Sequence, residues 1–588
     1  MLAQPTSSHA RRAGTLRARL LVGTLSALSV GGLITTPLRA EALSPTKLRA
    51  PALDALREFC GFYVTGADSE LYNNATMVVL MRDGTRTVLS MQNNYQGPPQ
   101  DFAMIVPVPV VLQKDNVKVL ANEVFDRVDK LAAPRLVEYW EQDPCQPWGD
   151  VETKQMRAGD GDFDDSVKKK DGGREHGVTI EAQFEVGEYQ VVILSAKDST
   201  GLETWLAQEK YNIPKGAEPL LRPYVQSGSK FFVAKVDAKK VNFDAKGQAK
   251  LSPLRFHYDS PEFSLPVRLG LINAPDSQGG KQDLIVHVLA RSQRYQLANY
   301  PNVTIPTNLE VKDETREHFG EFYASLFDHV LANNPKAIAT EYAWVANSCD
   351  PCPEPPLDLG ELITLGVDVL PTYAKSFGKG KRISDDMQWT VPSEFVLTRL
   401  HARYDASSLG EDLVFEAAPA IVGGREFMQQ DGQLERGAIE EPGGYNNFQA
   451  RYIIRHAWAG KVECKEPQYG IWGGPWPDVQ GDTQPALARD LAFVARDATL
   501  ANYVTDTAKQ ELERSVGKLP EGPSAPVEPE PEVDPGDAPS SGGPIVGYGE
   551  DSGCAHCSAE RGGAGGAVGL GLGLLGLLGL RRRARARA

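Results

Sequence analysis

The chain has 588 residues, 41% of them hydrophobic and 24% charged, with a net charge of −15. That apolar fraction is enough for a packed core, which excludes wholesale disorder, collagen-like repeats and a multi-span membrane protein. Five arginines against one glutamate in 1–42, and six arginines without an acid in 561–588, leave −25 for residues 43–560; so acidic a middle repels phosphate backbones and argues against nucleic acid as a partner.

Read from the N-terminus, Arg11, Arg12, Arg17 and Arg19 precede an apolar run of 15 residues, Leu20 to Ile34, and Ala40 and Ala42 form a small-x-small site. This is the pattern of a secretory signal peptide, expected over 1–42. A membrane span needs about 20 apolar residues, so the run is short for one.

Residues 43–519 are expected to form the exported folded region, with two subdomains as one reading of its length. Met77–Met81 and Thr85–Met91 are β-rich runs around Asp83-Gly84, a hairpin signal. Phe102–Val111 reads as a strand in which Pro107 and Pro109 indicate a sheet edge or a strand end. Val117–Trp140 reads as a helix with a break at Pro134. Residues 146–177 are polar, and Asp160, Asp162 and Asp164 share the spacing of a calcium loop. The sixth position, Asp165, should be Gly and the twelfth, Asp171, should be Glu, which favours a solvated loop.

Val178–Leu194 alternates like a hairpin with Gly187 near its turn, Leu202–Lys210 is a short helix holding Trp205, and Lys230–Val236 and Leu251–Arg291 hold further strands. In Thr315–Leu331, Phe319, Phe322, Leu326 and Val330 make a helical stripe. Tyr342–Ala346, Phe395–Tyr404 and Ala450–Trp458 are predicted strands, and Leu487–Ser515 a C-terminal helix. Strands and helices mix without a βαβ alternation, so the expected class is α+β: mixed, mainly antiparallel sheets with several packed helices.

A Pro- and acid-rich spacer occupies 520–552, and PEGPSAPVEPEPEVDPGDAPSSGG at 520–543 is its extended part. The tail, 553–588, holds Cys554 and Cys557, an uncharged run from Gly562 to Leu580, and RRRARARA. The run matches one hydrocarbon thickness, and the arginines would stay cytoplasmic. A single membrane-anchoring helix is the direct reading. Gly571, Gly573 and Gly576 match GxGxxG only inside this apolar run, where no dinucleotide site forms.

The order of parts in the tail resembles the myxobacterial-type C-terminal sorting signal. The resemblance implies processing near the cysteines, with Cys554 and Cys557 both candidates, and display at the cell surface. CGFYV (60–64), FAMIVPVP (102–109), APRLVEYWEQDPC (133–145), YAWVANSCDPCP (342–353) and VLTRLHARYDASSLGEDLVF (396–415) together resemble domain of unknown function family 2330, from about Cys60 to about Cys464. That resemblance implies an exported bacterial protein and supplies no catalytic residue.

In an oxidising compartment the cysteines are expected to pair. Cys349-Asp-Pro-Cys352 is the sharpest candidate. A zinc site would need a second pair of ligands, and a redox pair would need a helix starting at Cys349, which Pro353, Pro355 and Pro356 oppose. A structural disulfide is the reading that remains. Cys60 with Cys145, leaving Cys464 odd, is one pairing among those that five cysteines allow.

Glu314, His318 and Glu321 fall at i, i+4 and i+7, as metal ligands could, against the plainer reading of a wet helix face. Arg399, His401 and Arg403 alternate on one strand, and Arg455 and His456 lie on another; in an acidic protein these pair with Asp and Glu sooner than with an anionic ligand. Ser227–Lys230 matches SxxK without its companion motifs. Trp472 and Trp476 on a Gly/Pro-rich loop could stack on a glycan, although such side chains more often cover core.

No catalytic, cofactor or metal set converges. The expected function is a binding or structural role for a cell-surface protein anchored in the membrane by its C-terminal helix, with a surface glycan or a protein as partner. The alternative is an extracytoplasmic enzyme with an unrecognised site, thiol-based chemistry being one form it could take.

Overall fold

The computed structural model describes residues 62–65, 75–92, 102–145, 178–211, 217–237, 239–243, 249–273, 281–377, 383–405, 407–426, 434–477, 484–496 and 498–519. The signal-peptide segment, Cys60, the acidic loop at 160–171, the spacer, and the tail with Cys554, Cys557 and Gly562–Leu580 lie outside them. Among the described residues no helix is long and apolar enough to cross a membrane.

The backbone of the fold is an 11-stranded mixed sheet. Its centre runs Asn447–Gln449, Ile338–Val345, Phe395–Tyr404, Gln282–Arg291, Ala75–Asp83, Arg86–Met91 and Leu254–Asp259. Most pairings are antiparallel, but Gln282–Arg291 and Ala75–Asp83 run parallel. The predicted hairpin is present, with Val78 opposite Met91 and Asp83 opposite Arg86. Gly84 opens its two-residue loop at φ +60°, which glycine adopts without strain.

A five-stranded antiparallel sheet packs beside it. Its order is Phe62–Thr65, Phe102–Val108, Lys230–Val236, Tyr189–Ala196 and Val178–Val186. Phe102–Val108 is flanked on both sides only as far as Ile105; Pro107 faces Phe231 alone. The missing N–H of Pro107 therefore sits at the strand end that the two prolines indicated. A smaller sheet joins Arg451–His456, parallel to Arg135–Glu141, with Trp472–Gly473 and Ala486–Leu487 on the outer side of the latter.

Two expected helices are corrected. Within 117–140 the helix is only Glu123–Ala132, flanked by strands Val117–Val119 and Arg135–Glu141. Pro134 stops the helix, and the β-branched and aromatic side chains that follow pair with 451–456. In the stretch from 487 the helix is Asp506–Val516, capped by the Thr505 hydroxyl accepting from Ala508 N, after two 3₁₀ turns. The helix Phe319–Asn333 forms as the stripe required, with Phe319, Phe322, Leu326 and Val330 buried.

A hydrophobic core fills one side of the main sheet, with Val286, Val288, Leu400, Phe232 and Phe256 among its members. Two more cores lie under the helices Phe319–Asn333 and Glu123–Ala132. The class is α+β, as expected.

Cys145 is bonded to Cys464 across 319 residues, and Cys349 to Cys352. The first bond corrects the pairing of Cys145 with Cys60: the parallel strands 135–141 and 451–456 end side by side, so their continuations carry Cys145 and Cys464 together. Non-reducing peptide mapping should recover both bonds. Cys464→Ser should destabilise the protein by about 2–5 kcal/mol, read from urea unfolding. A peptide joining Cys60 to Cys145 would contradict this pairing.

Candidate functional site

The charged residues that stood out in the sequence meet on the main sheet. Arg399, His401 and Arg403 face His287, Ile285 and Asp283 across the antiparallel pair, so all six share a face. The next strand carries a bulge between Thr340 and Tyr342, which inserts Glu341 as the extra residue. A bulge re-aims a side chain, and here it brings Glu341 onto both Arg399 and His401.

Arg399 is the hub. Its Nε donates to Glu341 Oε2 at 2.7 Å, and its Nη1 pairs with Asp129 from the helix Glu123–Ala132. His401 lies between two carboxylates, with Nδ1 2.7 Å from Glu341 Oε1 and Nε2 3.0 Å from Asp283 Oδ1. Both ring nitrogens must donate, which makes this histidine an imidazolium. Phe327 stacks on it at 3.9 Å, and the Tyr323 hydroxyl donates to Glu341. Arg403 and Arg496 complete the shell of Asp283, and Arg489 that of Asp129. Asp129, Asp283, Glu341, Arg399, His401 and His287 are all buried.

The titration shifts follow from this packing. Burial disfavours the charged form of Glu341, but His401 and Arg399 outweigh it and hold the carboxyl down to about 2. Asp129 and Asp283 are likewise depressed, against burial, by their arginines and, for Asp283, by His401. Burial alone would lower His401; Glu341 and Asp283 raise it instead. His287 has no such pair: burial, then Arg399, push it down to about 3, so it is neutral, 3.4 Å from Arg399 Nη1.

The other singled-out residues are also paired internally. His456 sits 2.7 Å from Glu138 and stacks on Trp140, and Arg455 lies 4.0 Å from Glu310. Glu314 is on a 3₁₀ turn ahead of the helix, so it does not share a helical face with His318 and Glu321. His318 approaches Glu321 at 3.3 Å, and His329 approaches the Gly517 carbonyl. Among the described residues no group of His, Cys, Asp and Glu could hold a metal ion.

The Cys349–Cys352 loop is held by its backbone. Arg135 donates to the Pro351 carbonyl and Gln449 to the Asp350 carbonyl. The next helix begins at Leu359, not at Cys349, so nothing there lowers a thiol pKa by a helix dipole.

The tryptophan loop is fastened by one carboxylate. Glu141 accepts from Gly470 N at 2.7 Å and from Trp458 N at 3.0 Å, while its carbonyl accepts from Trp476 Nε1 at 2.8 Å. Trp476 thus folds back against Trp458. Arg455 covers one face of Trp472, and Tyr469 is 59% exposed.

Sequence reasoning found Arg399, His401 and Arg403 by their alternation. It missed Asp129, Asp283, Glu341, Arg489 and Arg496, which are scattered over 368 residues of sequence. The signal available was a charged residue inside an otherwise apolar strand, as in QDLIVHVLAR and IATEYAWV.

Removing Arg399 should leave two buried carboxylates short of a cation, Asp129 with Arg489 and Glu341 with His401. Arg399→Met should cost about 3–5 kcal/mol in urea unfolding. Adding Asp129→Leu should recover part of that loss; a strictly additive double variant would deny the coupling.

The network also sets a pH dependence. Glu341, held down, contributes fully above its ordinary value of 4.5 and loses this as pH falls toward 2. His287, also held down, contributes fully above 6.5 and loses this as pH falls toward 3, whereas His401, raised, contributes below 6.5 and loses this as pH rises through its folded value. Stability should therefore fall between pH 6.5 and 3. His287→Gln should flatten that slope by up to about 1.4 kcal/mol per pH unit, one proton's linkage. An unchanged slope would show that His287 is not the group that titrates.

Neither a curated protein nor a solved structure matches the chain. One family model does match, over residues 54–416, and its span includes Asp129, Asp283, His287, Glu341, Arg399, His401 and Arg403, while Arg451, Cys464, Arg489 and Arg496 lie beyond it. With most of the chain and the whole centre of the charge network inside that match, the chain belongs to the family described as uncharacterized protein conserved in bacteria, DUF2330.

Proposed function

We propose that this chain is an exported protein, anchored at the cell surface, with a binding or structural role. The observation that carries the reading is the Cys145–Cys464 bond, which ties together two strands 319 residues apart. Disulfides of this kind persist in oxidising, extracytoplasmic compartments. The apolar, Arg-flanked segment at 20–34 and the Gly562–Leu580 run with its arginines support export and anchoring.

A binding role draws on how the charges are spent. Arg399, His401 and Arg403 are taken up by Glu341 and Asp283 in the interior, so the network organises the fold and leaves recognition to other surfaces. A surface glycan or a protein is the proposed partner. Tyr469, on the disulfide-stapled loop beside Trp472, offers a stacking face to a sugar ring. The thiol-based alternative draws on the exposure of Cys352, and the absence of an activating helix start at Cys349 weighs against it.

Protease added to intact cells should cut the 520–543 spacer and release the disulfide-bonded part. Protection until the outer membrane is permeabilised would overturn the surface address and place the protein in the periplasm.

A further inference from the structure

Arg135 and Arg451 are direct register partners on adjacent parallel strands. Neighbouring strands lie about 4.8 Å apart, and like charges directly opposite repel. Both side chains are 0% exposed. A pair of cations buried side by side requires compensation.

Protein groups supply only part of it. Arg135 donates Nη1 to the Pro351 carbonyl at 2.6 Å and Nη2 to the Leu131 carbonyl, and its guanidinium lies over the Tyr342 ring. Arg451 donates Nη2 to the Tyr139 hydroxyl at 2.6 Å and lies over that ring. The carboxylate of Asp350 is 4.0 Å from Arg451 Nη1 and accepts the Glu426 N–H at 3.3 Å. Glu426 itself acts on Tyr139.

Arg135 Nε, Arg451 Nε and Nη1, and the Tyr342 hydroxyl are buried and have no hydrogen-bond partner. Gln449 Oε1 is also unpartnered, while its Nε2 is fixed by the Asp350 and Gly424 carbonyls. These residues belong to one locality. Tyr342 is the register partner of Gln449, Gln449 and Arg451 are two apart on the same chain segment, and both arginines reach the successive loop residues Asp350 and Pro351. An unmade hydrogen bond on a buried charged group is costly, and here four open donors belong to three neighbouring residues, Arg135, Arg451 and Tyr342.

We propose that Arg135, Arg451 and Tyr342, beneath the Cys349–Cys352 loop, form a binding site for a small oxyanion, the carboxylate, phosphate or sulfate group of a ligand. Such an anion accepts from several N–H and O–H donors at once and cancels the repulsion between the two guanidiniums. Gln449 Oε1, an unpartnered acceptor beside these donors, adds one hydrogen bond for an oxyanion that carries a proton, such as a hydrogen phosphate. Burial pushes the Arg135 guanidinium down, as does Arg451, and an anion between them would oppose both effects.

The proposal gives the binding reading a ligand class and rests on it for biological meaning. Its test is made on the purified full chain, so the two fail separately: absence of oxyanion binding would remove this site and leave the surface address standing, and protease protection of the spacer would do the reverse. Phosphate, sulfate and acetate are titrated calorimetrically and in thermal melts, each against sodium chloride at equal ionic strength. At least one oxyanion should bind saturably and raise the Tm beyond chloride, and the arms identify which chemistry is taken.

Arg451→Gln should weaken that binding at least about tenfold, the loss expected for a charged donor. Tyr342→Phe, which deletes only a hydroxyl, should weaken it about threefold or more and keep the fold. No saturable effect beyond chloride overturns the proposal. So does unchanged affinity in a folded Arg451→Gln, or, if that variant does not fold, unchanged affinity in Tyr342→Phe.

Discussion

Arg399 between Asp129 and Glu341 is the interaction on which the rest of this architecture depends. Two carboxylates with 4% and 0% side-chain exposure share one guanidinium, 2% exposed, while Arg489 supports the first and His401 the second. The three groups come from the helix Glu123–Ala132 and from two neighbouring strands of the main sheet. Satisfying them fixes where the helix sits on the sheet. The bulge leaves Glu341 outside the regular pairing, between Thr340 opposite Leu400 and Tyr342 opposite Arg399, and there its carboxylate meets both Arg399 and His401.

Buried ion pairs are poor sources of net stability, because desolvation offsets most of their attraction. Their effect here is one of selection. A register slip in Phe395–Tyr404 would turn Arg399, His401 and Arg403 into the apolar core that contains Leu400 and Ala402 on the other face. The apolar cores tolerate rearrangement among residues of similar volume; the charges do not. Hydrophobic burial thus drives the collapse, and the charge network determines which collapsed arrangement is retained. The Cys145–Cys464 bond acts on a separate part, holding the ends of the parallel strands 135–141 and 451–456 and the tryptophan loop beyond them.

The two arginine groups differ in how they are neutralised. Arg399 meets acids from two elements, Asp129 and Glu341, and none of its buried nitrogens lacks a partner. Arg135 and Arg451, opposite each other on the small sheet, depend mostly on carbonyls, aromatic faces and a distant Asp350. That contrast within one interior separates a site that organises the fold from one with donors to spare.

Much of the local structure was legible in the sequence. Period-two and period-3.6 patterns placed the 75–91 hairpin, the strand Phe395–Tyr404 and the helix Phe319–Asn333, because each buries a regular face. The α+β class, the Cys349–Cys352 bond and the family likeness were legible too. Val117–Trp140 misled, since RLVEYWE becomes a strand only by pairing with 451–456, more than 300 residues away. Long-range pairing of this kind, like the union of Cys145 with Cys464, leaves no local mark. The alternation of Arg399, His401 and Arg403 showed that one strand face was charged. Only the tertiary structure decided that Asp129, Asp283 and Glu341 would meet that face, because the attraction between charges depends on distance in space and not on position along the chain.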